Sequence, residues 1–140
     1  GQVCRPGSVA VPQLMGVETF ANVHHMVSAV EGRLQAGVDA LGLLRACFPG
    51  GSITGAPKKR AMEIIAELEP LRRGLYCGAI GYIGFDGGMD TSITIRTAVC
   101  AHRTLTYRAG GGVVMDSREA DEYQETRDKA HALLRLASQG

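Results

Sequence analysis

The chain has 140 residues, 45% of them apolar, and its fifteen basic and fourteen acidic side chains give a net charge of +1. A single domain with a real core is expected at this length, burying roughly two-thirds of the unfolded surface. Near-neutral charge argues against a nucleic-acid or anionic-membrane surface, and no apolar run approaches the ~20 residues needed to cross a bilayer.

Residues 1–18 read as irregular or extended, with Val9, Val11 and Leu14 at a sheet edge and Pro6 and Pro12 opposing a helix. From Thr19 to Gly37 the apolar positions Phe20, Val23, Val27, Val30 and Leu34 recur at three- and four-residue steps, which predicts a helix. Asp39 is placed to cap a short helix running to Ala46. Phe48 to Lys58 is a glycine- and proline-rich loop feeding a helix over about 57–68, with Met62, Ile65 and Leu68 on one stripe. A helix N-terminus behind such a loop attracts anions. A nucleotide phosphate loop is excluded, because Gly55 is followed by Ala56 and Pro57 rather than Lys and Ser or Thr.

Beyond Pro70 the period becomes that of strands. Tyr76–Phe85 and Thr91–Val99 flank the hairpin turn Asp86-Gly87-Gly88. A third strand opens at Leu105 and runs to Val114 through Gly110, Gly111 and Gly112, where glycines mark a bulge or a close approach. Asp116 or Ser117 then caps a last helix reaching about Ala137. Helices, a three-stranded meander and a helix give an α+β layer architecture. The cysteines Cys4, Cys47, Cys77 and Cys100 lack metal or disulfide spacing and are expected as buried free thiols in a reducing cytosol.

On the last helix Glu122, Glu125 and Lys129 follow i, i+3, i+7, within about 60° on one face. Two carboxylates one turn apart suit a hard cation such as Mg²⁺; a solvated face with one Glu–Lys pair is the plainer alternative. Arg96, among strand residues expected to be buried or half-buried, calls for a bidentate carboxylate or phosphate, whether an internal ion pair or a ligand. His25 reads either as a core histidine or as a proton carrier, and Tyr76 as packing with a satisfied hydroxyl or as a ligand contact. Together these suit a small polyanionic substrate bridged to a divalent metal. The competing class is a non-catalytic binding module in which the glycines serve only structure.

Residues 23–28, 48–58, 61–65, 76–82, 89–97, 109–114 and 116–126 together resemble, in order and over nearly the whole chain, the chorismate-utilising enzymes. Pro49–Gly55 and Asp90–Thr97 look most like the aminodeoxychorismate synthase component I branch, with anthranilate synthase component I as the alternative. The resemblance implies residues 1–140 as the C-terminal part of a chorismate-binding catalytic domain, its helices packed on an antiparallel sheet. It implies Glu125 as a Mg²⁺ ligand with Glu122 close by, directly or through water, and Arg96, Tyr76 and the Gly110, Gly111 and Gly112 amides as a carboxylate cradle. Lys129 would lie near the metal-bound carboxylate, His25 beside the ring carbon that loses its hydroxyl, and Ser52 where relatives use Thr. It further implies a cytoplasmic enzyme fed ammonia by a glutamine amidotransferase. The family's other metal-binding glutamates and its nucleophilic lysine are missing here. Beginning at Gly1, the chain therefore reads as a piece of something longer, inactive by itself and inclined to self-associate.

Overall fold

A computed structural model describes residues 1–20 and 23–138, and the chain falls into two compact units. The first contains residues 1–48 and 85–88, the second 49–84 and 89–140. The Phe20 and Val23 side chains, expected on an apolar stripe, lie outside the described side chains.

In the first unit β1 (Ala10–Phe20) pairs antiparallel with β2 (Val23–Glu31), with Gly16 opposite Val27 and Glu18 opposite His25. The ladder shifts register between Ala10 and Gly16. There Met15 adopts φ +51°, and its N–H donates to the Ser28 hydroxyl at 2.9 Å. The helix expected over 19–37 does not form: residues 19–20 end β1 and Val23–Glu31 is β2. Its four-residue step from Val23 to Val27 keeps one face in a strand as it does on a helix, so that spacing could not discriminate. β-branched valines and an antiparallel partner decide for the strand. The short helix after Asp39 forms as expected: α1 spans Ala40–Cys47, and Asp39 Oδ1 accepts the Gly42 N–H at 2.8 Å.

In the second unit the glycine-rich loop holds one helical turn, α2 (Gly51–Thr54), ended by Gly55 at φ +124°. Pro57 occupies the N-cap of α3 (Lys58–Leu68). β3 (Ala79–Ile83) pairs with β4 (Met89–Ile93) in register, and β5 (Ala98–Ala101) with β6 (Thr104–Tyr107). The last helix, α4, is Glu119–Ala137. The α+β class holds, but the meander does not: the described strands form three two-stranded ribbons.

The strand expected over 91–99 breaks after Ile93: Thr94 still bonds to the residues just before β3, and the chain then turns away. The Thr94 N–H donates to the Gly78 carbonyl at 3.1 Å, its carbonyl accepts the Cys77 N–H at 3.0 Å, and its hydroxyl donates to the Leu75 carbonyl. Arg96 then turns the chain at φ +50°. The third strand stops at Tyr107, well short of Val114.

The expected apolar core and buried thiols are absent among the described residues: Thr94, 2% exposed, is the buried side chain. Val17 and Leu68 stand 69% and 76% exposed, Cys47 and Cys100 are exposed, and Cys4 and Cys77 are half-buried. Among the described residues, these exposed apolar side chains lack a second layer to cover them. The isolated 140-residue chain is accordingly expected to self-associate in light scattering; a sharp monomer at micromolar concentration would contradict this. Among the described residues, no helix is long and apolar enough to cross a membrane.

Candidate functional site

The site is assembled within the second unit from the start of α4, the glycines after β6 and the loop before β3. Helical spacing puts Glu122, Glu125 and Lys129 on one face of α4, and the Tyr107 hydroxyl on β6 donates to the Lys129 carbonyl at 3.1 Å. Before the helix, the Ser117 hydroxyl accepts the Val114 N–H at 3.0 Å and donates to Glu122 Oε1 at 2.5 Å. Glu125 Oε1 lies 2.5 Å from Lys129 Nζ, which also donates to the Gly110 carbonyl at 3.3 Å. Each carboxylate thus commits its Oε1.

The other oxygens converge. Glu122 Oε2 is buried with no hydrogen-bond partner among the described residues. A Cβ on Gly111 would stand 2.9 Å from it and 4.0 Å from Glu125 Oε2. A Cβ on Gly110 would stand 2.9 Å from the Tyr76 hydroxyl. Two successive residues without side chains therefore admit an acidic pair on one side and a phenol on the other. Burial, and secondarily the neighbouring Cys77, push the Tyr76 phenol above its usual range, so at neutral pH it is a hydrogen-bond donor.

Tyr76 is held by its own loop. Arg73 binds Glu69 with both ends of its fork, at 2.8 and 2.6 Å, and donates to the Ile53 carbonyl at 3.1 Å. That hydrogen bonding holds the Glu69 carboxyl below its ordinary value and raises the guanidinium. The Tyr76 N–H donates to the Arg73 carbonyl at 3.2 Å, and Tyr76 lines a cleft of about 270 Å³ with Arg72, Arg73 and Arg108.

A buried, orphaned carboxylate oxygen next to a residue without a side chain is a fit for a hard divalent cation, which takes oxygen ligands and keeps several waters. The fit is for part of a shell. Among the described residues no group of three or more His, Cys, Asp or Glu side chains gathers to hold a metal.

Of the residues singled out from sequence, Tyr76, Gly110, Gly111, Glu122, Glu125 and Lys129 come together. Lys129 faces Glu125 rather than open space. Arg96 is exposed in a turn instead of lying half-buried in a strand, and Ser52 is exposed in α2. No hydrogen bond or ion pair among the described residues ties either to the acidic pair. A Cβ on Gly112 would meet nothing within 4 Å. His25 belongs to the first unit, on β2 opposite Glu18. Sequence reasoning took Ser117 for a helix cap and missed its bond to Glu122. The only signal was a hydroxyl five residues ahead of an acid, which carries no periodicity.

The family described as chorismate binding enzyme matches residues 1–135. The chain is 61% identical over 134 residues to aminodeoxychorismate synthase component 1 of Klebsiella aerogenes, covering 96% of this chain and 30% of that protein. The Escherichia coli K12 protein of the same name is 57% identical over 135 residues, with the same coverage. Anthranilate synthase component 1 of Neisseria meningitidis serogroup A is 50% identical over 137 residues, 98% of this chain and 28% of that one. The crystal structure of anthranilate synthase component I from Streptococcus pneumoniae matches with a TM-score of 0.83 at 44% identity, over 93% of this chain and 30% of that chain. This chain spans less than a third of the length of these relatives.

Proposed function

The chain belongs to the chorismate binding enzyme family, and on that premise we propose that it works as part of an aminodeoxychorismate synthase component 1. The reaction is replacement of the chorismate ring hydroxyl by ammonia, giving 4-amino-4-deoxychorismate and water, on the way to p-aminobenzoate and folate in the cytoplasm. Ammonia comes from a glutamine amidotransferase. The observation that carries the reading is the unpartnered Glu122 Oε2 beside Gly111, with Glu125 Oε2 facing the same glycine.

Glu122 and Glu125 would hold Mg²⁺, which when bound supplies Lewis-acid polarisation of the ring carboxylate and the departing hydroxyl. This chain's own groups do the rest of the positioning. The Tyr76 hydroxyl, kept protonated by burial, donates to the substrate's other carboxylate, with the backbone N–H groups of residues 110–112 beside it. Arg96 carries an exposed guanidinium for the same carboxylate. Lys129 holds Glu125 by one oxygen and leaves the other. By the family resemblance His25 would move the proton at the departing hydroxyl, and Ser52 would stand where relatives use Thr. The nucleophilic lysine and further acidic ligands that the family resemblance implies are not among these 140 residues, so the chain alone is expected to form no product.

The margin between 61% identity to an aminodeoxychorismate synthase and 50% to an anthranilate synthase favours the first product. A chimera in which this chain replaces the matching 135 residues of the Escherichia coli protein tests it directly. With chorismate, ammonia and Mg²⁺ the expected product is aminodeoxychorismate. Anthranilate, or no product from a folded chimera, would overturn the reading.

A further inference from the structure

We infer that Ser117 is a positioning residue that selects which oxygen of Glu122 is left for a cation; the inference rests on the reading of the acidic pair proposed above. The Ser117 hydroxyl has both its roles fixed. It accepts the Val114 N–H at 3.0 Å, and its single proton goes to Glu122 Oε1 at 2.5 Å. The Ser117 N–H returns to the Val114 carbonyl at 3.0 Å, so the turn that carries the hydroxyl is closed from both sides.

The terminal torsion of a glutamate is broad and roughly two-fold, so an untethered carboxylate exchanges its oxygens and sweeps a wide arc. Bonding Oε1 to a closed turn removes that freedom. Oε2 then points to the space over Gly111, where a Cβ would stand 2.9 Å away, and it finds no partner among the described residues. Glu125 is treated in parallel: Lys129 Nζ takes its Oε1 at 2.5 Å and is itself anchored on the Gly110 carbonyl at 3.3 Å.

The two tethers differ in charge. Lys129 offsets the charge of Glu125, whereas a serine hydroxyl fixes Glu122 without neutralising it. The pair therefore keeps one net negative charge with both free oxygens directed to one place.

Mn²⁺ serves as a spectroscopic stand-in for Mg²⁺, titrated by electron paramagnetic resonance into the full-length protein that carries this chain. Ser117→Ala is expected to weaken Mn²⁺ binding about 10- to 100-fold, the range seen when a partner that orients a metal ligand is lost. Ser117→Thr keeps the hydroxyl and is expected to bind like the parent. Should Ser117→Ala not fold, Ser117→Cys, of similar volume but a weaker donor, is expected to show the same direction of loss. Unchanged affinity in folded Ser117→Ala would overturn the inference alone. Equal losses in the Thr and Ala variants would also overturn it, by making the position one of backbone rather than hydroxyl. A parent protein that binds no Mn²⁺ would sink the reading of the acidic pair, and this inference with it.

Discussion

Glu122→Gln in the full-length protein carrying this chain is expected to lower Mg²⁺-dependent amination of chorismate by about a thousandfold, with the fold intact. The substitution is close to isosteric, and the Ser117 hydroxyl, which donates to Oε1, needs only an oxygen to donate to. The amide therefore settles with its oxygen toward Ser117 and its NH₂ toward Gly111. A carboxylate oxygen that faces the site without a partner becomes a pair of N–H donors. That removes a charge and directs hydrogens at a cation. Charge stabilisation by a catalytic metal amounts to several kcal/mol, and about 4 kcal/mol corresponds to about a thousandfold in rate. Stopped assays following chorismate consumption, beside a thermal melt, separate this from unfolding. A variant with near-parental turnover would remove Glu122 from the metal's shell.

Gly111→Ala is expected to uncouple the site from the fold in the opposite way, by adding an atom. The new methyl would lie 2.9 Å from Glu122 Oε2, a side-chain end held by one hydroxyl, so the carboxylate gives way before the backbone does. Stability should change little, while Mn²⁺ affinity falls about 10- to 100-fold as the ligand is displaced. Gly81 shows the contrast. There an added Cβ would run into the Asp90 carbonyl and Thr91 Cα of the paired strand, and the β3–β4 ribbon itself would give way. Loss of melting temperature in Gly111→Ala comparable to a ribbon break would mean that the glycine serves the fold and not the acidic pair.

Features that depend on short-range chemistry were legible in the sequence. Asp39 caps α1 because a carboxylate two positions before Leu41 can reach the Gly42 amide. The turn at residues 85–88 forms because Asp86 Oδ1 takes the Gly88 N–H at 3.0 Å and Gly87 adopts φ +84°. The face shared by Glu122, Glu125 and Lys129 follows from helix geometry once α4 is recognised. Features decided by distant partners were not legible. β2 is a strand because β1 pairs with it, and the four-residue apolar step in the 23–31 segment does not by itself separate a helix from a strand. β4 ends near Ile93 because the chain turns at Arg96, φ +50°, after Thr94 has bonded to the loop before β3. The missing core has the same origin. Composition counts apolar residues but not the layers that cover them, and exposed Val17, Met26 and Leu68 belong to elements with no covering layer among the described residues. At the site, the acidic face was readable, but the tether from Ser117 was not, since it joins a turn to a helix across five residues.

The central claim is that Glu122 Oε2 and Glu125 Oε2 meet over Gly111 to hold one divalent cation. Anomalous diffraction from Mn²⁺-soaked crystals of the full-length protein tests it most directly. The account predicts a single peak over Gly111 with oxygens of both glutamates as direct ligands, and Lys129 still on the second oxygen of Glu125. A peak that excludes Glu122, or metal bound elsewhere while the space over Gly111 stays empty, would contradict it.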